Sequence, residues 1–354
     1  MNYRNFTKHA GGFSSYDFNL FERIISLENL FSAWNEFRLG KEGKLDVQEF
    51  GLDLEDNIFE LHNDLRNNSY IHSPYKSFYL HDPKLRHIFK ARVRDRILHH
   101  AIVKIIGPIF EKSFIFDSYS SRKNKGTHKA IDRFRYFAQK LSRNNSRTIW
   151  ILKCDIKKFF DSVNHNILVD RISNKIKDVK TIELIKHIVH SLKTSQSDGI
   201  PLGNLTSQLF SNVYLNILDQ FIKRQSRVKY YVRYNDDFLI LSKSREFLEN
   251  LIPVMGNFLK ERLNLELHPQ KIIIKNWNQG IDFLGYVNFP YHTILRTKTK
   301  KRIIKEITKR LQESRAGIID HKLFNQSLQS YFGMLKHCRG RSIHNKINQI
   351  ISTK

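Results

Sequence analysis

The chain has 354 residues, 40% hydrophobic and 27% charged, which excludes wholesale disorder and suits two or three domains with a sizeable core. No apolar run approaches the roughly 18 residues of a membrane span. Lys and Arg number 60 against 34 Asp and Glu, a net charge of +26, and an excess of that size points to a polyanionic partner such as nucleic acid.

The charge is uneven. Residues Tyr291 to Lys354 carry 15 Lys or Arg and 3 Asp or Glu, a net of +12, so the C-terminal end is a basic module. Met1 to Ser15 mixes basic residues with glycines and lacks a secretory-signal pattern, so the expectation is a cytoplasmic protein. Cys154 and Cys338 are the two cysteines, too few for a disulfide framework or a Cys-rich zinc site. A bound metal is expected on oxygen ligands.

From Leu20 to Asn67 apolar residues fall at helical spacings (Phe31, Trp34 and Phe37, then Ile58, Leu61 and Leu65), and Arg92 to Phe110 is a further helix. The run Gly40-Lys41-Glu42-Gly43-Lys44 is too short for a phosphate-cradling loop and reads as a turn. The sixteen His residues, His99-His100 among them, show no zinc spacing, and in a basic protein such residues more often lie near phosphate or on helix surfaces.

Thr148 to Ile156 reads as a strand, with Asp155 following the run Ile149 to Cys154 near its end and Cys154 turned to the core. Asn164 to Lys177 is a helix, and Leu205, Leu209, Val213, Ile217 and Phe221 mark another helix face. Lys229 to Tyr234 and Asp237 to Ser242 are β-prone runs joined at Asn235-Asp236, residues that tolerate the positive φ of a tight hairpin. A helix over Arg245 to Arg262 and a strand over Lys271 to Lys275 complete a split βαβ arrangement, followed by helices over Lys300 to Ser314 and Lys322 to Leu335.

Three aspartates carry the chemistry. Asp155 ends its strand, and Asp236 and Asp237 sit at the hairpin tip. Carboxylates gathered in this way repel unless a cation neutralises them, and hard oxygen ligands suit Mg²⁺. Two such ions, with Mn²⁺ as a substitute, are the arrangement that drives in-line nucleotidyl transfer. Taken alone, an Asn-Asp-Asp turn is more often a solvated hairpin tip.

The segment Tyr234-Asn235-Asp236-Asp237 resembles the Tyr-X-Asp-Asp motif of reverse transcriptases, and other blocks follow in the family's order. Lys153 to Asp161 resembles the first palm motif and Gly199 to Gln208 the middle one. Arg94 to Ile97 and Asp117 to His128 resemble fingers blocks shared with group II intron enzymes, while Leu267 to Lys271 and Phe283 to Tyr286 resemble the end of the palm. The resemblance implies an α+β right-hand polymerase. Residues 1–150 would form an N-terminal extension and fingers, 151–290 the palm and 291–354 a basic helical thumb.

It also implies roles. Asp155, Asp236 and Asp237, with the main chain of Ile156, would hold two Mg²⁺. Phe160 would be the aromatic gate against a 2′-hydroxyl; the other reading is a core Phe, with Phe159 facing the opposite way on an extended chain. Arg122, Arg86 and Lys84 would meet the incoming triphosphate, alongside Leu202, Gly203 and Gln208 at the nucleotide. Tyr234, Ser207 and Gly285 would lie against primer and template. Lys271 would protonate the leaving pyrophosphate, or else be a solvated strand-end lysine.

Leu202 stands where many relatives place Gln. The combination of Leu202, Gly203, Ser207 and Gln208 resembles the reverse transcriptases of diversity-generating retroelements, which copy a template-repeat RNA into cDNA with errors opposite adenines and work with a small basic accessory protein. An aliphatic residue there removes a hydrogen-bonding group near the nascent pair. Two alternatives stand beside it: an antiviral defence reverse transcriptase that makes cDNA on a partner non-coding RNA, and a non-catalytic, maturase-like RNA scaffold; the resemblance implies a bacterial or phage-encoded protein. Expected partners are template RNA, primer and dNTPs, with no membrane.

Overall fold

The computed structural model describes residues 19–80, 85–192 and 199–352. The chain divides into two compact units that alternate along it: residues 1–115, 157–220 and 259–265 form the first, and 116–156, 221–258 and 266–354 the second.

The chain opens in the first unit with four helices, α1 (Leu20–Ile25), α2 (Leu27–Arg38), α3 (Leu45–Leu52) and α4 (Leu54–Arg66). Ser26 caps α2 by accepting from Asn29 N, and the buried Leu30, Ala33, Trp34 and Phe37 follow at three- and four-residue spacing. The Gly40 to Lys44 segment is a turn, with Gly40 at φ 69°. An antiparallel hairpin follows, β1 (Lys76–Leu80) and β2 (Arg86–Lys90), then the long helix α5 (Val93–Glu111). The apolar face of α5 is interrupted by buried Asp95 and His99. His99 is therefore an interior residue and not a helix-surface one. It stacks on His72, and burial holds its pKa down to about 3.

The chain enters the second unit with α6 (Thr127–Leu141) and β3 (Trp150–Asp155), then returns to the first for α7 (His165–Ser173), α8 (Val179–Val189) and α9 (Leu205–Gln220). The second unit resumes with β4 (Tyr231–Tyr234) and β5 (Asp237–Ser242). Next come α10 (Arg245–Leu263), most of which lies in the second unit, and β6 (Ile273–Asn276). The strands form one antiparallel sheet in the order β4-β5-β3-β6. Three short strands, β7 (Ile281–Phe283), β8 (Tyr286–Asn288) and β9 (Thr293–Leu295), make a separate sheet, and α11 (Thr297–Arg315), α12 (His321–Leu335) and α13 (Arg341–Ser352) end the chain. The predicted strand–helices–hairpin–helix–strand order is present.

Paired residues on neighbouring strands share a face. Ile151, Leu239, Leu241 and Val232 lie on one face of the large sheet and join α6 residues Phe134, Phe137 and Ala138 in a single core. That core runs on through Trp277, Phe283 and Tyr286 to Ile303, Ile307, Phe324 and Ile347 of the terminal helices. Cys154 and Phe238 are paired and fully buried on the opposite face. The three-residue strands of the second sheet give a weak sequence signal, whereas α6 (Ala130, Ile131, Phe134, Phe137, Ala138 and Leu141) and α13 (Ile343 and Ile347) space their buried residues helically, a pattern legible in the sequence.

Phe134 is wholly buried, edge-on to Trp277 at 5.4 Å and to Phe283 at 6.1 Å. Phe134→Ala should destabilise the protein by about 3–5 kcal/mol. Urea unfolding followed by tryptophan fluorescence measures this, and a loss under about 1 kcal/mol would show that this core does not depend on the ring.

Candidate active site

The site is built on the register of the large sheet. Asp155, the last residue of β3, pairs directly with Asp237, the first of β5, and Tyr234 of β4 pairs with Asp237 from the other side. The turn between β4 and β5 is the two residues Asn235 and Asp236, with Asn235 at φ 55°. This is the tight hairpin that its sequence predicts. Ile156 N donates to the Asp236 carbonyl at 3.2 Å, which ties the turn to the end of β3. Arg233, fully buried, donates from Nη1 to the Asn235 carbonyl at 3.2 Å and braces the turn from the other face.

Asp155 and Asp237 continue the same sheet face as the apolar core, so their side chains keep only 14% and 20% of their surface. Burial, with the like charges of Asp155 and Asp236 beyond the opposing effect of Lys153, pushes the Asp237 carboxyl up to about 7. Its Oδ1 is enclosed and has no hydrogen-bond partner among the described residues. Two lysines meet the acids. Lys271 Nζ lies 2.6 Å from Asp155 Oδ1, and Lys153 Nζ lies 3.5 Å from Asp237 Oδ2 while donating to the Asp282 carbonyl at 2.7 Å. Asp236 Oδ1 accepts from Asn235 Nδ2 at 3.2 Å.

Among the described residues no three acidic, His or Cys side chains converge as a preformed metal cluster. The donor set nonetheless fits a hard cation, because it is all oxygen and includes an enclosed carboxylate oxygen without a partner. Asp155 Oδ1 would be released to such a cation only when Lys271 withdraws.

Lys271 is placed in a 3-10 turn, Pro269–Lys271, and not in the strand expected over Lys271 to Lys275. That turn starts from His268, whose N donates to the Asp155 carbonyl at 2.8 Å, so main-chain bonds carry Lys271 to the acid. Ile156 is buried. Tyr234 OH accepts from Thr127 Oγ1 at 3.3 Å, and Arg122 Nη1 donates to the Ser118 carbonyl at 2.7 Å. Gly285, at φ 89°, completes with Leu284 the two-residue turn of the β7–β8 hairpin. The Asp117 to Tyr119 segment lies along β4, with Tyr119 N donating to the Arg233 carbonyl at 2.9 Å.

Phe160, Leu202, Gly203, Ser207, Gln208 and Arg86 belong to the first unit. Phe159–Ser162 is a 3-10 turn and not an extended chain, so the two rings do not face opposite ways: they meet edge to face with centroids 5.3 Å apart, Phe159 buried and Phe160 partly exposed. Phe160 O accepts from Ile200 N at 2.8 Å, which fastens this turn to the middle motif. Leu202 O accepts from Phe89 N at 3.1 Å and Asn204 Nδ2 donates to the Phe89 carbonyl at 3.1 Å, laying the motif against β2. Gly203 has φ 120°, a conformation that favours glycine, and a Cβ there would make a tight 3.1 Å contact with Ile88 Cγ2. Ser207 is buried and Gln208 exposed in the first turn of α9. Arg86 is exposed at the start of β2, and Lys84 lies outside the described residues.

Lys153 and Arg233 escaped the sequence reading. The signal was present for Lys153, a lone charge in an apolar strand two residues before Asp155 and so on its face. Arg233 gives no such signal, since strand basic residues are ordinarily exposed.

An antiparallel sheet that presents paired carboxylates at a strand end and a hairpin tip, fed by helices between its strands, is the architecture of a polymerase palm. Residues 81–288 match the family model described as reverse transcriptase (RNA-dependent DNA polymerase), and the chain belongs to that family. Its α+β fold is accordingly that of the right-hand polymerases. The chain is 26% identical to Protein YkfC of Escherichia coli over 68% of its own length and 71% of that protein. It is also 26% identical to the group II intron-encoded protein LtrA of Lactococcus lactis, over 74% of this chain and 54% of LtrA. Apo telomerase from Candida tropicalis superposes with a TM-score of 0.49 at 13% identity, covering 79% of this chain and 62% of that one. The chain thus spans little more than half of LtrA. Among the described residues no helix is long and apolar enough to cross a membrane.

With a carboxyl near 7 when folded and an ordinary value of 3.8, Asp237 binds more protons in the native than in the unfolded state between about pH 4 and 7. Without metal, its contribution therefore lowers stability as pH rises through that window. Asp237→Asn should gain stability over wild type in EDTA progressively from pH 5 to 7, with no further gain above about pH 8. Urea unfolding at each pH reads the difference, and a gap independent of pH would mean the carboxyl is not raised.

Proposed function

We propose that the protein is an RNA-directed DNA polymerase whose reaction centre is the Asp155, Asp236 and Asp237 cluster. The observation that carries this reading is the direct pairing of Asp155 with Asp237 beside the Asp236 turn, with the enclosed Asp237 Oδ1 left without a partner among the described residues. Residues 1–150, 151–290 and 291–354 act as fingers, palm and thumb, and the basic terminal helices neutralise the phosphates of template and primer. The three aspartates and the carbonyl of Ile156 are the ligands for two Mg²⁺ or Mn²⁺ ions. Bound there, the ions supply activation of a primer 3′-hydroxyl and stabilisation of the departing pyrophosphate.

The chain's own residues bind and orient the substrates. Lys271, freed from Asp155, provides the proton for pyrophosphate. Arg122, Arg86 and Lys84 receive the triphosphate, the partly exposed Phe160 rejects a 2′-hydroxyl, and Gly203 lets the main chain approach the nucleotide beside Leu202 and Gln208. Tyr234, Ser207 and Gly285 position primer and template. Leu202, in the combination with Gly203, Ser207 and Gln208, favours the diversity-generating reading: cDNA made from a template-repeat RNA with errors opposite adenines, assisted by a small basic accessory protein.

Primer extension on an RNA template with Mg²⁺ and all four dNTPs, followed by sequencing of the products, tests this. Wild type should extend the primer, and Asp236→Ala should lose at least about 100-fold of the rate. Errors concentrated opposite adenines support the diversity-generating assignment, and accurate products point to a defence enzyme. Absence of extension even with cognate RNA and accessory protein supplied would leave an RNA-binding scaffold.

A further inference from the structure

We propose that Lys153 is a resident counter-cation: a positioning residue whose fixed ammonium holds Asp237 beside Asp155 before any metal binds and keeps the cluster's affinity for divalent cations low. The proposal rests on the reading of these aspartates as metal ligands.

Lys153 occupies an unusual place for a lysine. It lies on β3 between Ile151 and Asp155 on the core-facing side, paired with Leu239 of β5 and Ile273 of β6. Its side chain keeps 17% of its surface. An ammonium so placed is costly unless it is bound, and two groups bind it. The Asp282 carbonyl accepts from Nζ at 2.7 Å, and Asp237 Oδ2 lies at 3.5 Å. The Asp282 carboxylate is in turn paired with Arg296, whose N donates to the Gly285 carbonyl at 3.0 Å. The small sheet therefore fixes the ammonium, and the acid is placed against it.

Lys271 differs in each respect. It is 34% exposed, extends from a 3-10 turn and lies directly on Asp155 Oδ1 at 2.6 Å. A cation using that oxygen displaces Lys271. Lys153 stands farther from its carboxylate and is tethered elsewhere, so it stays when a cation arrives, and Asp237 Oδ1 remains open. Fully ionised, the three aspartates and two lysines sum to −1; without Lys153 they sum to −2, which attracts a divalent ion more strongly and leaves the metal-free carboxylates less well compensated.

The test uses the full chain without nucleic acid: wild type, Lys153→Met, Lys153→Gln and Lys153→Arg. Free Mn²⁺ is followed by electron paramagnetic resonance, and melting temperature is measured in EDTA and in Mn²⁺ at pH 8. The neutral variants should bind Mn²⁺ at least about threefold more tightly, melt lower in EDTA and gain more from Mn²⁺ than wild type. Lys153→Arg should keep wild-type affinity. A merely structural lysine predicts lower melting with and without metal and no tightening. Unchanged or weaker Mn²⁺ binding in both neutral variants, or an unchanged melting temperature in EDTA, overturns the proposal. Wild-type protein that binds no Mn²⁺ sinks the metal reading itself; a lower melting temperature of the neutral variants in EDTA, restored by Lys153→Arg, would then still uphold the counter-cation role.

Discussion

The pairing of Asp155 with Asp237 across β3 and β5 is the constraint around which the second unit is arranged. Two carboxylates on adjacent strands, on the face that also carries the core, repel each other and lose water at once. The fold compensates locally. Lys153 and Lys271 supply positive charge, Ile156 N and Arg233 hold the neighbouring turn, and the enclosed Asp237 Oδ1 is left without a partner. Among the described residues, the carboxylates are thus only partly satisfied by their own neighbours.

Rigid packing makes that arrangement possible. The strands that present the acids are clamped by α6 on their core face, and the same core extends through Trp277 and Phe283 into the terminal helices. Register slips would move Asp155 away from Asp237 and turn the apolar residues outward, so burial of Ile151, Leu239 and Leu241 enforces the chemical geometry as well as the stability. Besides packing Phe283 and Tyr286 into that core, the small sheet supplies the Asp282 carbonyl that anchors Lys153.

The first unit shows the same economy. Main-chain bonds join Phe160 to Ile200 and Leu202 to Phe89, so the Phe159–Ser162 turn, the segment 199–208 and the paired strands β1 and β2 are fastened to one another without side-chain charge. Gly203, with its φ of 120° and Ile88 close by, makes that fit possible. A glycine in such a position matters for what it lets the backbone do.

Local sequence by itself determined the strand ending in Asp155, the hairpin at Asn235 and Asp236, the long helices and the basic C-terminal module, because each depends on periodicity, turn chemistry or charge that neighbouring residues display. It also pointed to the three aspartates as one site. Only the tertiary structure decided that Asp155 faces Asp237 in register, that Lys153 and Lys271 stand against them, and that Lys271 reaches its partner from a turn and not a strand. The same holds for the burial of His99 and Arg233 and for the three-stranded sheet. Those features depend on which distant segments pack together, as when Asp282 meets a lysine 129 positions earlier, and no local pattern encodes a contact of that separation.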